Sequence, residues 1–314
     1  MQTERLGTDD EGLVRAAELL RSGELVAFPT ETVYGLGGLA SDSEAVGKIF
    51  AAKGRPADRP VIVHLGSIDQ LGSWASGLAP NALRLAESFW PGPLTLILPH
   101  HGSVLDAVTG GRDTVGVRVP AHWVARRLLE LVGDGVAAPS ANRYGHVSPT
   151  TADHVLADLD GRIAAVVDGG PCNVGLESTI VEIVQSSPGA EPRVSVLRHG
   201  GVPVSAIEGA LGRSVIDGSA GTGEEARAPG MVLGHYAPAA PLAVVTAEQA
   251  GTAPTDVAVI EATAGEDDRD FAAALYARLR AVDQTNPREI WVVPPVSGEL
   301  LPAILDRLSR ASHR

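Results

Sequence analysis

The sequence predicts an α/β fold of two units joined by a linker. Three observations carry that reading. Short apolar runs alternate with amphipathic helical stretches from about residue 10 to 210; the pattern dissolves between 211 and 240; and a shorter alternation resumes after Pro241. The expected division is therefore 1–210, a linker at 211–240, and a small α/β unit at 241–314. A chain of 314 residues that is 44% hydrophobic is long enough to bury a core in each unit.

The elements follow in order. TDDEGLVRAAELLRSG reads as a helix, with acidic residues at its start, Leu13, Ala17 and Leu20 on one face, and Gly23 as its stop. LVAFP is a strand. SDSEAVGKIFAAK is a helix whose Ser41 and Glu44 have the spacing of a capping box. PVIVHL is a strand, APNALRLAESFW a helix closed by Pro91-Gly92-Pro93, and LTLIL and TVGVRVP are strands. AHWVARRLLELVG (helix), GVAAP (buried strand) and TTADHVLADLDG (helix) come next, then the strands IAAVVDGG, STIVEIV and VSVLRHG and the short helix PVSAIEGALG. GSAGTGEEARAPG is small, polar and glycine-rich, as linkers are. After it come strands PLAVVT and DVAVIEA, helix DDRDFAAALYARLRAVDQ, strand EIWVVPPV and helix GELLPAILDRLSRAS.

Bulk properties exclude several functions. A net charge of −13 makes a poor stand-alone nucleic-acid binder, because neutralising phosphates needs clustered Lys and Arg. The single cysteine, Cys172, rules out a disulfide framework and any CxxC zinc site. No run of about 18 apolar residues occurs and the start is acidic, so a soluble, cytoplasmic protein is expected. There is no Walker loop, no HExxH and no G-x-S-x-G nucleophile elbow.

Polar residues gather at strand ends, where α/β scaffolds carry their sites. FPTETVYGLG brings Thr30, Thr32 and Tyr34 together before Gly35, Gly37 and Gly38. It is either a tight strand-to-helix turn or a cradle in which a small polar ligand approaches bare backbone. KGRPADRP places Lys53, Arg55 and Arg59 on one loop ahead of His64, and such a trio calls for an anion. Only two lysines exist, Lys48 and Lys53. Arg118 shares a strand face with Thr114 and Gly116, and needs a negative partner, either a ligand carboxylate or a structural Asp or Glu. In APSANRYGHVSPTTADHV, Ser140 and Asn142 follow a strand. Ser148 stands at a helix start, where it either helps bind phosphate or, like Thr150, caps the helix. Ser178 opens a strand and Arg198 ends one. Together these residues suit a polyanion beside a small carboxylate ligand, hence phosphoryl or nucleotidyl transfer by positioning and charge stabilisation.

FPTETVYGLG, KGRPADRPVIVH, PGPLTLIL, TVGVRVPAH, APSANRYGHVSPTTADHV, GLESTIVEI and VLRHGG occur in that order. Together they make residues 10–210 resemble the YrdC-type family of L-threonylcarbamoyl-AMP synthases. APGMVLGHYAP and the C-terminal unit resemble its long, two-domain branch. The resemblance implies an open, twisted α/β sheet around a large concave cavity, with a smaller Rossmann-like domain behind it. It implies synthesis of threonylcarbamoyl-AMP and pyrophosphate from L-threonine, bicarbonate and ATP, with Mg²⁺ brought by the nucleotide and no metal held by protein side chains. A transferase complex would then pass the threonylcarbamoyl group to the adenosine at position 37 of tRNA.

By that resemblance, Thr30, Thr32, Tyr34, His64, Arg118, Ala138 and Ser178 should form the L-threonine pocket. Arg55, Arg59, Thr114, Ser140, Ser148 and Arg198 should line the ATP side. Lys53 and Arg55 should be catalytic, holding bicarbonate and phosphates. His235 and Tyr236, from the linker, should fold over the nucleotide as a lid. Asp306 stands where the family would lead one to expect Asn. The alternative is a non-catalytic module of the same fold that binds double-stranded RNA or the ribosome, against which the acidic charge argues. A hydrogenase-maturation carbamoyltransferase would need CxxC repeats that one cysteine cannot supply.

Overall fold

Strand alternation decides which side chains enter the core and which face a cavity. The computed structural model describes residues 2–185, 191–219 and 235–313. In chain order the strands are β1 (Glu4–Leu6), β2 (Val26–Phe28), β3 (Gly35–Leu39), β4 (Ile62–His64), β5 (Leu94–Pro99), β6 (Thr114–Arg118) and β7 (Val136–Ala137). There follow β8 (Ala165–Val167), β9 (Thr179–Val184), β10 (Arg193–Arg198), β11 (Ile216–Asp217), β12 (Leu242–Val244), β13 (Val257–Glu261) and β14 (Glu289–Val293). The first eleven form one mixed sheet in the order β1-β8-β2-β3-β7-β4-β6-β5-β9-β10-β11. This is the open α/β sheet the sequence led us to expect, with a second, three-stranded sheet behind it.

One face of the large sheet carries the main core. Ala27, Val63, Leu96, Val117, Val181 and Val196 point there and pack against the helices Ser43–Lys53, Pro80–Phe89 and Val204–Leu211. Part of the opposite face is covered by the helices Asp10–Arg21 and Trp123–Val132, which seal Val26, Phe28 and Val136. On that same face, but beyond the helices, lie Ile62, His64, Gly116 and Arg118, placed by period two next to the core residues. The uncovered portion is the concave surface.

Several local expectations change. FPTETVYGLG is neither a strand-to-helix turn nor a purely ligand-facing loop. It is a hairpin, with β2 and β3 antiparallel and Phe28 opposite Gly35. A Cβ on Gly37 would lie 2.8 Å from Phe28 Cε1 and 3.0 Å from Val136 Cγ1, so that glycine serves packing inside the sheet. The helix Ser43–Lys53 is capped by Asp42, whose side chain accepts from the Glu44 and Ala45 amides, while Ser41 Oγ donates to Asp134 instead. The helix Ala152–Leu159 is capped by Thr151 rather than Ser148 or Thr150. β1 and β11 were not anticipated: each is short and pairs with only one neighbouring strand, so neither carries a strong periodic signal.

The C-terminal unit is a parallel sheet in the order β12-β14-β13, flanked by the helices Asp268–Asp283 and Leu301–Ser312. Its core does not stop at its own boundary. Phe271, Leu275, Tyr276, Ile304 and Leu308 form one cluster with Val33, Val147 and Leu176 of the first unit and with Tyr236 of the linker. Gly175 marks the closest approach: a Cβ there would sit 2.5 Å from Ala273 Cα, and its φ is +72°. No helix among the described residues is long and apolar enough to cross a membrane.

Candidate functional site

The concave face holds a cleft lined largely by polar and charged side chains, among them Lys53, Arg55, His64 and Arg118. Parallel pairing of β4 with β6 sets His64 directly beside Arg118, so two strand ends deliver an imidazole and a guanidinium to one wall. Arg118 is buried, and its partner is structural: Nη2 lies 2.6 Å from Glu31 Oε1. Its Nε donates to the Gly92 carbonyl and Nη1 donates to Thr32 Oγ1 at 3.0 Å. The hairpin turn supplies the hydroxyls. Thr30 Oγ1 accepts from the amides of Thr32 and Val33 and lies 2.7 Å from Thr32 Oγ1. This local ring holds both threonines at the cleft.

His64 is buried, and its Nδ1 has no hydrogen-bond partner among the described residues. Burial, and then the Arg118 charge, push its pKa down to about 3, so the ring is neutral at ordinary pH. A neutral imidazole with an unused nitrogen inside a cleft is a group waiting for a ligand.

The cations of KGRPADRP separate. Lys53 ends the helix Ser43–Lys53 and is buried, and its Nζ donates to Ser140 O at 2.5 Å, to Asn142 O at 2.6 Å and to Asn142 Oδ1 at 3.4 Å. Those three oxygens account for its three protons. Burial and then Arg55 lower its pKa well below the usual lysine value. Arg55 lies at the cleft, donating from Nη2 to Pro60 O while its buried Nε lacks a partner among the described residues. Burial brings its pKa down to about 10. Arg59 does not line the cleft; it is partly exposed and sits 4.0 Å from the Asp58 carboxylate.

Strands β9 and β10 build the opposite wall. Ser178 Oγ lies 2.8 Å from Thr95 Oγ1, and Arg198 donates to both the Ser178 carbonyl and hydroxyl. Arg198 reaches that wall through a register shift in β10. Val196 pairs with Val181 but Arg198 with Ile180, so one extra residue turns the arginine away from the core face that Val194 and Val196 occupy. His235 and Tyr236 arrive from the linker and close over the cleft, with the His235 ring edge-on to Tyr144 at 4.9 Å. Burial, then Arg55 and Lys53, lower the His235 pKa to about 3. Tyr236 has a positive φ of 64°. Of the expected linker, 211–240, residues 220–234 lie outside the described residues.

Thus Thr30, Thr32, Lys53, Arg55, His64, Arg118, Ala138, Ser140, Ser178, Arg198, His235 and Tyr236 meet at one cleft. Tyr34, Arg59, Thr114 and Ser148 do not line it. Tyr34 is buried and donates its hydroxyl to Gly170 O at 2.8 Å. Thr114 opens β6, at the end of the strand away from Arg118. Ser148 is fully buried and donates to Glu177 Oε1 at 2.6 Å.

Comparison with known proteins agrees with this architecture. The profile of the Sua5, YciO and YrdC family, described as "Telomere recombination", matches residues 18–200. That of "Threonylcarbamoyl-AMP synthase, C-terminal domain" matches residues 202–313. The chain belongs to the two-domain threonylcarbamoyl-AMP synthase family. The threonylcarbamoyl-AMP synthase of Bacillus subtilis is 41% identical, over 99% of this chain and 95% of its own length. That of Pyrococcus abyssi is 48% identical over 73% of this chain and 66% of its own length. The crystal structure of P. abyssi Sua5 complexed with L-threonine superimposes with a TM-score of 0.90 at 38% identity, covering 99% of this chain and 98% of that one.

Set on this synthase fold, Asn142 and three residues that sequence reasoning passed over gain roles. Glu31 neutralises Arg118, and Asn142 shares the Lys53 ammonium. Tyr144 meets His235. Glu177 lines the cleft with Oε2 held by Tyr276 Oη at 2.9 Å and Arg307 Nε at 2.6 Å. Burial alone would raise the Glu177 carboxyl; the Arg307 and Arg198 charges and the Ser148 hydroxyl outweigh it and bring its pKa to about 2. The signal for Glu31 was its place beside Thr30 and Thr32; nothing local flagged Glu177's partners, which lie 99 and 130 residues away. Asp306 is bound to Arg307 Nη1 at 2.5 Å and to Arg310 Nη2 at 2.7 Å, so its charge is in use. Among the described residues, no group of three or more His, Cys, Asp or Glu side chains could hold a metal ion.

Proposed function

We propose that this chain condenses L-threonine, bicarbonate and ATP into threonylcarbamoyl-AMP and pyrophosphate. The observation that carries the reading is a single cleft lined by two different sets of groups. One set is a neutral imidazole, two hydroxyls and a paired guanidinium; the other is Arg55, Arg198 and the Lys53 charge. The first set suits a small amino acid and the second suits phosphates. A relative of this fold was crystallised with L-threonine.

In this reading the threonine carboxylate approaches Arg118, and its side-chain hydroxyl and amine meet Thr32 and His64. A water-poor cleft favours the uncharged amine, which attacks the bicarbonate carbon. The carbamate formed, with loss of water, then attacks the α-phosphorus of ATP and displaces pyrophosphate. Two anions must meet in that step. Arg55 and Arg198 offset the repulsion directly; Lys53 contributes its charge and holds the Ser140–Asn142 turn in place. With a pKa near 3, His64 is too weak a base to drive the chemistry, so it orients the amine and positioning supplies most of the rate. Mg²⁺ would enter with the triphosphate, since Glu31 and Glu177 are both committed to arginines. The His235–Tyr236 strap keeps water from the mixed anhydride until a transferase complex takes its threonylcarbamoyl group to tRNA.

The experiment is pyrophosphate release from Mg-ATP with L-threonine and bicarbonate added singly and together. Release that requires both supports the synthase reading. Release with neither, or equally with other amino acids, overturns the substrate. No release under any condition overturns the activity.

A further inference from the structure

Arg307 sits on the last helix of the C-terminal unit, yet it is 1% exposed and reaches the back of the cleft. Its Nε binds Glu177 Oε2 at 2.6 Å, its Nη2 donates to His199 O at 2.9 Å, and its Nη1 binds Asp306 at 2.5 Å. Its guanidinium carbon lies 5.1 Å from the centre of the Tyr236 ring, which itself stacks on Tyr276 at 6.0 Å. One side chain therefore touches both the wall and the strap.

A buried ion pair is a poor stabilising device, because removing two charges from water offsets most of their attraction. Here the pair has a consequence for charge. Glu177 precedes Ser178, to which Arg198 is bonded, so the carboxylate and the two guanidinium groups share one small volume. The hydrogen-bond partners of Glu177 are Ser148, Tyr276 and Arg307. Counting Asp306, bound to Arg307, and Arg310, bound to Asp306, the group of Glu177, Asp306, Arg198, Arg307 and Arg310 carries one net positive charge. Without Arg307 it would carry none, and Glu177 would spend its charge against Arg198.

We propose that Arg307 is a positioning residue for the synthase reaction: it neutralises and anchors Glu177 so that Arg198 presents its positive charge to the nucleotide, and it seats Tyr236 above it. The C-terminal unit thereby sets the electrostatics of a site it does not line. This rests on the synthase reading, and the wild-type control separates the two: if wild-type enzyme releases no pyrophosphate, the activity is at fault and not Arg307.

The test uses the full chain and steady-state pyrophosphate release at saturating bicarbonate. Arg307→Met is expected to raise the KM for ATP at least about tenfold while the KM for L-threonine changes less than about twofold. Adding Glu177→Gln, which removes the orphaned charge but keeps its shape, is expected to bring the ATP KM back to within about threefold of wild type. A merely structural Arg307 would give no such rescue, and absence of rescue overturns the proposal, as does an equal rise in both KM values. Should Arg307→Met not fold, Arg307→Lys and the double variant decide. Both preserve the net charge, and an ATP KM raised about tenfold or more in either overturns the proposal.

Discussion

Arg118 is locked to Glu31, 2.6 Å from guanidinium to carboxylate, on the wall where a threonine carboxylate would have to bind. The pair is thus already neutral as a whole when substrate arrives, and the incoming anion joins an ion pair instead of an isolated cation. Such an arrangement keeps Arg118 oriented without ligand, and Ala121 N, 3.0 Å from Glu31 Oε2, holds the carboxylate from behind.

Glu31→Gln should therefore have two opposite effects. Losing the buried counter-charge should lower the thermal midpoint by roughly 5–10 °C. L-threonine should then restore more stability than it gives the wild type, since its carboxylate replaces the lost anion. Differential scanning with and without L-threonine checks this; a threonine-dependent rise smaller than in wild type would place the carboxylate elsewhere.

Lys53 and Arg55, neighbours in sequence, should fail differently. Lys53→Ala strands the Ser140 and Asn142 oxygens, costing about 1–3 kcal/mol of stability along with turnover. Arg55→Ala loses one bond to Pro60 O, so its fold should be nearly intact while pyrophosphate release falls about a hundredfold or more. Paired denaturation and turnover measurements separate the two; near-normal turnover in Arg55→Ala removes that residue from the anion site.

His64 links the site to pH. Its folded pKa of about 3 lies below that of the unfolded chain, so the unfolded state takes up a proton first as pH falls. Its neutral form adds stability that is present above the unfolded pKa near 6.5 and is lost between there and about pH 3. By pH 5 the loss should reach about 2 kcal/mol for His64 alone. His64→Gln should shallow that acid limb in urea unfolding curves collected from pH 7 to 5. An unchanged limb would mean the imbalance lies at other groups, such as His235, whose pKa is also lowered to about 3.

Much of this was readable in the chain because strong signals coincide. Amphipathic periodicity gave the helices Asp10–Arg21 and Trp123–Val132, and apolar runs gave β4 to β6 and β9. Polar residues at the ends of those runs gave His64, Arg118 and Ser178, since a strand's end projects from a known place. What failed did so where local sequence underdetermines geometry. In the sequence Lys53 reads as one of three loop cations calling for an anion, because its three oxygens come from a turn 87 and 89 residues away. Ser148 looked like a helix cap until the true cap fell three residues later, leaving its hydroxyl to Glu177. Arg198 was chosen for its position at a strand end, yet it faces the cleft only because β10 gains a residue against β9.

Gly175 has a consequence of its own. The backbones of the two units meet there with no room for even a methyl group, at a point that lines no part of the cleft. A side chain at 175 would act as a wedge between the units, with the reacting groups of the cleft all still present. Whatever depends on the units lying together, including the Arg307–Glu177 contact and the seat of Tyr236, is thus hostage to the absence of a single carbon.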